Sequence, residues 1–254
     1  MSLVLQEEHI TISGEVSIGA TVTYTDKNTA SPAIVIIMGT GKTDRDGNEK
    51  GFRTDLYKNF AEFFTGLGFV CVRYDKRGTF QSTGDFNTAG LHDRTDDTIS
   101  VIWYVKTLPY VDETKVLACG HSEGAMIATL LSEKEDTAGL LLFGGAMLNA
   151  KWVREHAFYS SEDYIMLLKK YGKPILAITG TADISTDYRR LAALKDIPFA
   201  EIFTPPNVNH LLREIDDDNS ILTVKKQYVR LARKPIHTPT EEKIKEWLKQ
   251  FQTM

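Results

Sequence analysis

Cysteine is nearly absent from this chain of 254 residues, with Cys71 and Cys119 the only two. So few thiols exclude a disulfide framework, and without a C-x-x-C pair or an activating neighbour neither reads as a redox or nucleophilic centre. Each falls inside an apolar run and is expected to be buried as a small hydrophobe. Long hydrophobic runs are missing too, and no stretch approaches the length of a membrane span. The segment from Met1 to Glu8 carries neither a basic region nor a long apolar one, so no secretory signal is expected and the location is read as cytoplasmic. Charge of one sign is also scarce. Lys and Arg total 30 against 34 Asp and Glu, a net charge of −4, and the basic residues are scattered rather than striped. That balance offers no electrostatic footing for nucleic acid or an anionic membrane as a partner. No HExxH motif or Cys/His cluster suggests zinc, and no cofactor is expected.

What remains is an ordinary globular composition, 42% hydrophobic and 25% charged, on a chain long enough to bury one large core. A single domain over residues 1–254 is expected, with no internal repeat. Residues 3–25 alternate apolar and polar around Ser13-Gly14-Glu15, which reads as an antiparallel hairpin. From Ala33 to Met38 the texture changes to a continuous apolar run, the mark of a strand covered on both faces. A helix over 54–66 follows, then a strand Phe69–Tyr74, a helix marked by Ile99, Ile102 and Trp103, and a strand Lys115–Cys119. Further along come a helix Ser122–Leu131, strands Leu140–Phe143, Pro174–Thr179 and Phe199–Phe203, and helices Leu222–Leu231 and Glu241–Phe251. Such alternation predicts an α/β fold, a mostly parallel sheet with helices on both faces and an antiparallel N-terminal edge. Residues 145–173 exceed what one crossover needs and read as a small two-helix cap insertion over the sheet's carboxyl edge. Its second helix opens on the capping-box pattern Ser160-Ser161-Glu162-Asp163.

The chemistry centres on Gly120-His121-Ser122-Glu123-Gly124, a G-x-S-x-G pentapeptide between a predicted strand and a predicted helix. In that context it is a nucleophile elbow, a sharp turn that exposes the serine hydroxyl and leaves no room for flanking side chains. A serine hydroxyl is a weak nucleophile, so the elbow calls for a base and for a carboxylate to orient it. In the order serine, acid, histidine, both should lie after later strands. Pro174–Thr179 runs into Gly180-Thr181-Ala182-Asp183, and Phe199–Phe203 runs towards Asn209-His210. Asp183 and His210 fill the slots; Asp187 is the alternative acid but better suited to capping a helix, and His237 is the alternative base but stands in a linker before the last helix. His121 is expected to support the turn, and His9, His92 and His156 to serve surface or packing roles. An oxyanion needs two donors. One is the backbone N–H of Glu123 at the head of its helix, and the other, from the glycine-rich loop Gly39-Thr40-Gly41, is best assigned to Thr40 N–H. The Glu123 side chain reads as solvated or salt-bridged.

Two look-alikes sit in that same loop. Gly39-Thr40-Gly41-Lys42-Thr43 imitates the end of a phosphate-binding loop, but Ile36 stands where its first glycine belongs and no helix follows directly. Asp44-x-Asp46-x-Asn48 imitates a calcium loop, but Glu49 and Asp55 occupy the positions of its glycine and its bidentate glutamate. A polar turn is the better account.

Taken together, the G-x-G loop with Asp44-Arg45-Asp46-Gly47-Asn48, then Tyr74-Asp75-Lys76-Arg77-Gly78, the pentapeptide, Gly180-x-x-Asp183 and Asn209-His210-Leu211-Leu212 resemble the α/β-hydrolase superfamily over about residues 30 to 254. Within it the chain is similar to small bacterial esterases of the prolyl-oligopeptidase and dienelactone-hydrolase-like group. The resemblance implies a cofactor-free serine carboxylic-ester hydrolase acting on a small-molecule ester, with Ser122, Asp183 and His210 as its triad. The chain departs from that pattern at Met38, where such enzymes often have histidine before the glycine. A thioesterase or small peptidase with the same triad, and a noncatalytic binding protein of this fold, are the competing readings. Substrate choice is expected to reside in the insertion, where Met147, Trp152 and Phe158 are candidates for an apolar pocket wall, or for packing the insertion onto the sheet.

Overall fold

The N-terminal alternation folds as an antiparallel pair, β1 (Gln6–Ile12) and β2 (Ile18–Tyr24), in a computed structural model that describes residues 4–145, 160–216 and 219–252. The apolar run that follows is β3 (Ser31–Ile37). Its Ala33, Val35 and Ile37 enter one core cluster, while Ile34, Ile36 and the following Met38 enter the other. With apolar layers on both faces, every position of the strand must be hydrophobic, which is why it reads as an unbroken run.

The polar loop after β3 carries a short hairpin absent from the sequence reading, β4 (Asn48–Glu49) with β5 (Phe52–Arg53). The Asp44 carboxylate accepts the N–H groups of Asp46 at 3.0 Å and Asn48 at 2.9 Å, and the Asn48 side chain accepts those of Thr54 and Asp55, each at 2.9 Å. The tract that imitated a calcium loop is a self-bonded turn, and among the described residues no cluster suits a metal ion.

α1 (Leu56–Gly66), β6 (Val70–Tyr74), α2 (Leu91–Lys106), β7 (Val111–His121), α3 (Glu123–Lys134) and β8 (Leu140–Phe143) continue the alternation. β7 begins ahead of the expected Lys115 because Val111 already pairs with Ser31. Trp103, one of the three residues that marked α2, is 59% exposed and donates its indole N–H to Glu135 at 2.6 Å. The buried stripe of α2 keeps Ile99 and Ile102 and runs also through Thr95, Thr98, Val101 and Val105, its two threonines disguising the apolar period.

α4 (Ser161–Tyr171) opens on its capping box, Ser160 accepting from the Asp163 N–H at 3.2 Å and donating its own N–H to the Asp163 carboxylate at 2.6 Å. This helix was expected in a cap over the sheet edge. It lies against α3 instead and buries Tyr164 and Leu168 in the core, so it is the crossover helix leading to the next strand. The rest of the expected insertion, with Met147, Trp152 and Phe158, lies outside the described residues. β9 (Ile175–Ile178), a 3-10 turn over Tyr188–Leu194, β10 (Ala200–Phe203), α5 (Val224–Leu231) and α6 (Thr238–Leu248) complete the chain. α6 starts earlier than Glu241 because Pro239 sits in its first turn and His237 takes the cap position.

The eight-stranded sheet has the order β1-β2-β6-β3-β7-β8-β9-β10, antiparallel across β1-β2-β6 and parallel from β6 to β10. From β3 the chain crosses to β6 on one side and then back to β7 on the other. That reversal makes the carboxyl ends of β3 and β7 a topological switch point, where an open α/β sheet presents its crevice.

Candidate active site

The turn at the end of β7 holds Ser122 at φ 56° and ψ −119°, a strained conformation for a residue with a side chain. Its flanks explain the glycines. A Cβ on Gly120 would lie 2.2 Å from the Gly124 carbonyl oxygen, and one on Gly124 would lie 2.0 Å from that of Ile37. The backbone is tied on both sides, the Ser122 N–H donating to Phe143 O at 2.9 Å and its carbonyl accepting from Ala125 N at 3.0 Å. Ser122 therefore stands half-buried at the head of α3.

Asp183 and His210 meet above the neighbouring strand ends. His210 Nδ1 lies 2.7 Å from Asp183 Oδ2. The other carboxylate oxygen accepts the N–H groups of Ser185 at 2.8 Å and Thr186 at 2.9 Å, so the acid is fully engaged and cannot rotate. A carboxylate only accepts, so Nδ1 carries the imidazole proton and Nε2 is left as the basic nitrogen. The His210 loop is folded by Asn209, whose side-chain oxygen accepts the N–H groups of Leu211 at 3.0 Å and Arg213 at 3.1 Å. Arg213 in turn donates to Lys234 O at 2.7 Å and Leu211 O at 2.8 Å.

The turn after β8 joins these pieces. Gly144 has φ 57°, and a Cβ there would come 2.9 Å from His210 Nδ1 and 3.3 Å from Asp183 Oδ2; one on Gly145 would come 2.3 Å from Ser122 O. Ser122, Asp183 and His210 thus gather round one turn from three different strand ends. Among the described residues no hydrogen bond joins the Ser122 hydroxyl to the His210 ring; contacts of this kind commonly tighten only when substrate is bound.

His121 supports the turn, as expected, through a specific relay. The Gly39 N–H donates to Tyr57 Oη at 2.7 Å, that hydroxyl donates to His121 Nδ1 at 3.2 Å, and His121 Nε2 donates to His210 O at 2.9 Å. Burial lowers the His121 pKa to about 3, so the ring is neutral and the relay has one direction. The glycine loop, the elbow and the His210 loop are linked by this one ring.

On the other side of Ser122, a Cβ on Gly39 would lie 2.9 Å from Ser122 Cβ, which places the Gly39–Thr40 peptide beside the serine. Thr40 Oγ1 donates to Glu123 Oε2 at 3.2 Å, and Arg94 pairs with the other oxygen of that carboxylate. Glu123 is salt-bridged, one of the two states expected, and buried rather than solvated. Its backbone N–H opens α3, where the first amides have no acceptor within the helix.

The alternatives fall elsewhere. Asp187 caps the 3-10 turn, accepting from the Arg189 N–H at 3.1 Å. His237 Nδ1 lies 3.0 Å from Thr240 Oγ1, and His9 Nδ1 lies 2.9 Å from Thr21 Oγ1. His92 is exposed, and His156 lies outside the described residues. Cys71 and Cys119 are fully buried, and burial pushes the Cys71 thiol up to about 12. Tyr57, Lys76, Arg94 and the Gly144-Gly145 turn escaped the sequence reading. Tyr57 merges with the apolar face of α1, whereas Lys76 gave a usable signal, a charge two positions past a fully buried strand.

Residues 51–161 match the family model described as serine aminopeptidase, S33. Esterase EstD of Thermotoga maritima is 26% identical over 138 residues, a stretch that spans 54% of this chain and 32% of that esterase. Among solved structures, Est1E of Butyrivibrio proteoclasticus with ferulic acid bound superposes with a TM-score of 0.66 at 19% identity, over 87% of this chain and 96% of that one. An esterase of Pyrococcus furiosus gives 0.68 at 14% identity, over 98% and 92%, and a dienelactone hydrolase of Anabaena variabilis gives 0.68 at 15%, over 98% and 99%. At these identities the structural likeness is one of fold, and it extends over nearly all of each chain. With its sheet order and its likeness to these structures over nearly its whole length, this chain has the α/β-hydrolase fold.

Proposed function

We propose that the protein is a serine hydrolase that cleaves carboxylic esters of small molecules through an acyl-enzyme. The observation that carries this reading is the convergence of the strained Ser122 turn with the His210–Asp183 pair at 2.7 Å around Gly144-Gly145. In this mechanism His210 Nε2 takes the Ser122 proton as the hydroxyl attacks the ester carbonyl. Asp183 holds the proton on Nδ1 and stabilises the imidazolium that forms. The tetrahedral oxyanion is received by the N–H groups of Thr40 and Glu123. Collapse passes the proton from His210 to the departing alcohol, and water repeats the sequence to release the acid.

The match to a family described as aminopeptidases raises a second reading, cleavage of peptide amides. A free peptide amine would call for an anionic partner near the serine. Glu123, the carboxylate adjacent to Ser122, is already neutralised by Arg94 and bonded to Thr40, which favours an uncharged ester. Esterase EstD supports the same choice, and the ferulic acid bound to Est1E puts aryl esters among the substrates to try. The test is a panel of short acyl, aryl and feruloyl esters alongside thioesters and aminoacyl amides. The ester reading expects kcat/KM for the best ester to exceed that of every amide by at least about 10²-fold, a gap of about 2.7 kcal/mol in transition-state stabilisation. An amide that outruns the esters would overturn it.

A further inference from the structure

Lys76 is the buried charge that the proposed chemistry leaves unused. It stands just past the end of β6, in the turn Asp75-Lys76-Arg77-Gly78, between two residues that are already paired. Asp75 bonds Arg45, and Arg77 holds Asp97 at 2.7 Å. Lys76 itself is 6% exposed, and no carboxylate among the described residues lies within ion-pair distance of it. Its ammonium donates instead to two backbone carbonyls, Gly39 O and, at 2.9 Å, Gly41 O. Desolvation lowers its pKa to about 8; Glu123 pulls the other way, and Arg94 adds to the lowering. A cation held in the interior by neutral carbonyls is an unfavourable arrangement for stability alone.

The two carbonyls flank Thr40. In a trans peptide the C=O and N–H of one plane point in opposite directions, and the chain has no cis peptide among its described residues. Gly39 C=O and Thr40 N–H share such a plane. Fixing the carbonyl on Lys76 therefore turns the Thr40 N–H away from the interior, in a peptide that borders Ser122. The remaining freedom of this loop is removed on either side. Gly39 N–H is held by Tyr57, and the Thr40 hydroxyl is held by Glu123, which Arg94 anchors. A cation on the carbonyl also polarises the peptide and strengthens its N–H as a donor.

We propose that Lys76 is a positioning residue for the oxyanion site: by clamping the carbonyls of Gly39 and Gly41 it aims and polarises the Thr40 N–H. The proposal rests on the serine-hydrolase reading above. Its test is Lys76→Met, which keeps the apolar stem and removes the donors and the charge. kcat on a short activated ester is expected to fall about 10²-fold, the scale of losing one oxyanion donor, with KM within about threefold. Inhibition by a boronic acid, which forms a tetrahedral anion on the serine, should weaken by the same factor, while affinity for the carboxylic acid product stays level. The denaturation midpoint should hold or rise, because an apolar side chain suits the buried slot better than an ammonium does. A purely structural role would instead move stability and all affinities together. Should Lys76→Met fail to fold, Lys76→Leu, which likewise has neither donor nor charge, is read in the same way. Retention of kcat within about threefold in a folded variant whose Ser122 still reacts with a fluorophosphonate overturns the role of Lys76 and leaves the hydrolase reading intact. A wild-type protein that neither hydrolyses esters nor labels removes the hydrolase reading first.

Discussion

The two sides of Ser122 are built by different means. On the Asp183 and His210 side, the groups next to the acid and the ring are backbone amides and packed glycine: the N–H groups of Ser185 and Thr186 on the carboxylate, the Asn209 turn, and Gly144 against the imidazole, with the buried Arg213 set further back on the carbonyls of Leu211 and Lys234. On the glycine-loop side, geometry is enforced by buried charges, Lys76 on two carbonyls and Arg94 on Glu123. The division follows from what each side must present. In the proposed mechanism His210 needs one tautomer, which the Asp183 carboxylate fixes from its own place on the Ser185 and Thr186 amides. A backbone donor has no side chain to be packed and is aimed through its carbonyl, a group that a cation grips well. His121 is the junction, neutral and bonded to both sides.

Substitutions on the Asp183 and His210 side break the comparison most severely. Asp183→Asn keeps the shape of the acid but no longer favours the proton on His210 Nδ1, so kcat on an activated ester is expected to fall about 10⁴-fold with the circular dichroism spectrum unchanged. A loss below tenfold would detach Asp183 from the reaction. Gly144→Ala places a methyl group 2.9 Å from His210 Nδ1 and strains a φ of 57°, so the ring must shift. About 10²-fold in kcat is expected from a displacement of that order; steady-state kinetics at saturating ester reads it, and wild-type activity would show that the turn yields instead.

The junction predicts a pH effect on stability rather than on rate. Below 6.5 the unfolded chain protonates this histidine, while in the folded protein His121 stays neutral down to about 3. The unfolded state then binds the extra proton, so the contribution of His121 is fully present above 6.5 and is lost progressively as pH falls towards 3. Its slope reaches about 1.4 kcal/mol per pH unit. Urea titrations from pH 7 to pH 4 should show this slope in wild type and a flatter one in His121→Gln. Equal slopes would remove His121 as the source.

How much of this was legible in the sequence depends on which interactions write themselves into local pattern. β3, β6 and β8 read clearly because burial on both faces demands continuous apolar runs, and the pentapeptide read clearly because two close backbone approaches demand glycine at Gly120 and Gly124. Asp183 and His210 could be selected by their position after strands, a constraint of chain order. Of the three residues that marked α2, Ile99 and Ile102 are buried and Trp103 is not, because two threonines, Thr95 and Thr98, stand in the buried stripe and blur its apolar period. The placement of α4 was misjudged because a capping box announces a helix but not what it packs against. The roles of Tyr57 and Lys76 depend on contacts with Gly39 across 18 and 37 positions of the chain, and no local period encodes those.

The central claim is that Ser122 is the nucleophile, and covalent labelling tests it most directly. A fluorophosphonate probe should attach to one peptide, the one containing Ser122, with ester hydrolysis lost in proportion to labelling and both absent in Ser122→Ala. Labelling at another residue, or hydrolysis retained by Ser122→Ala, would contradict the account.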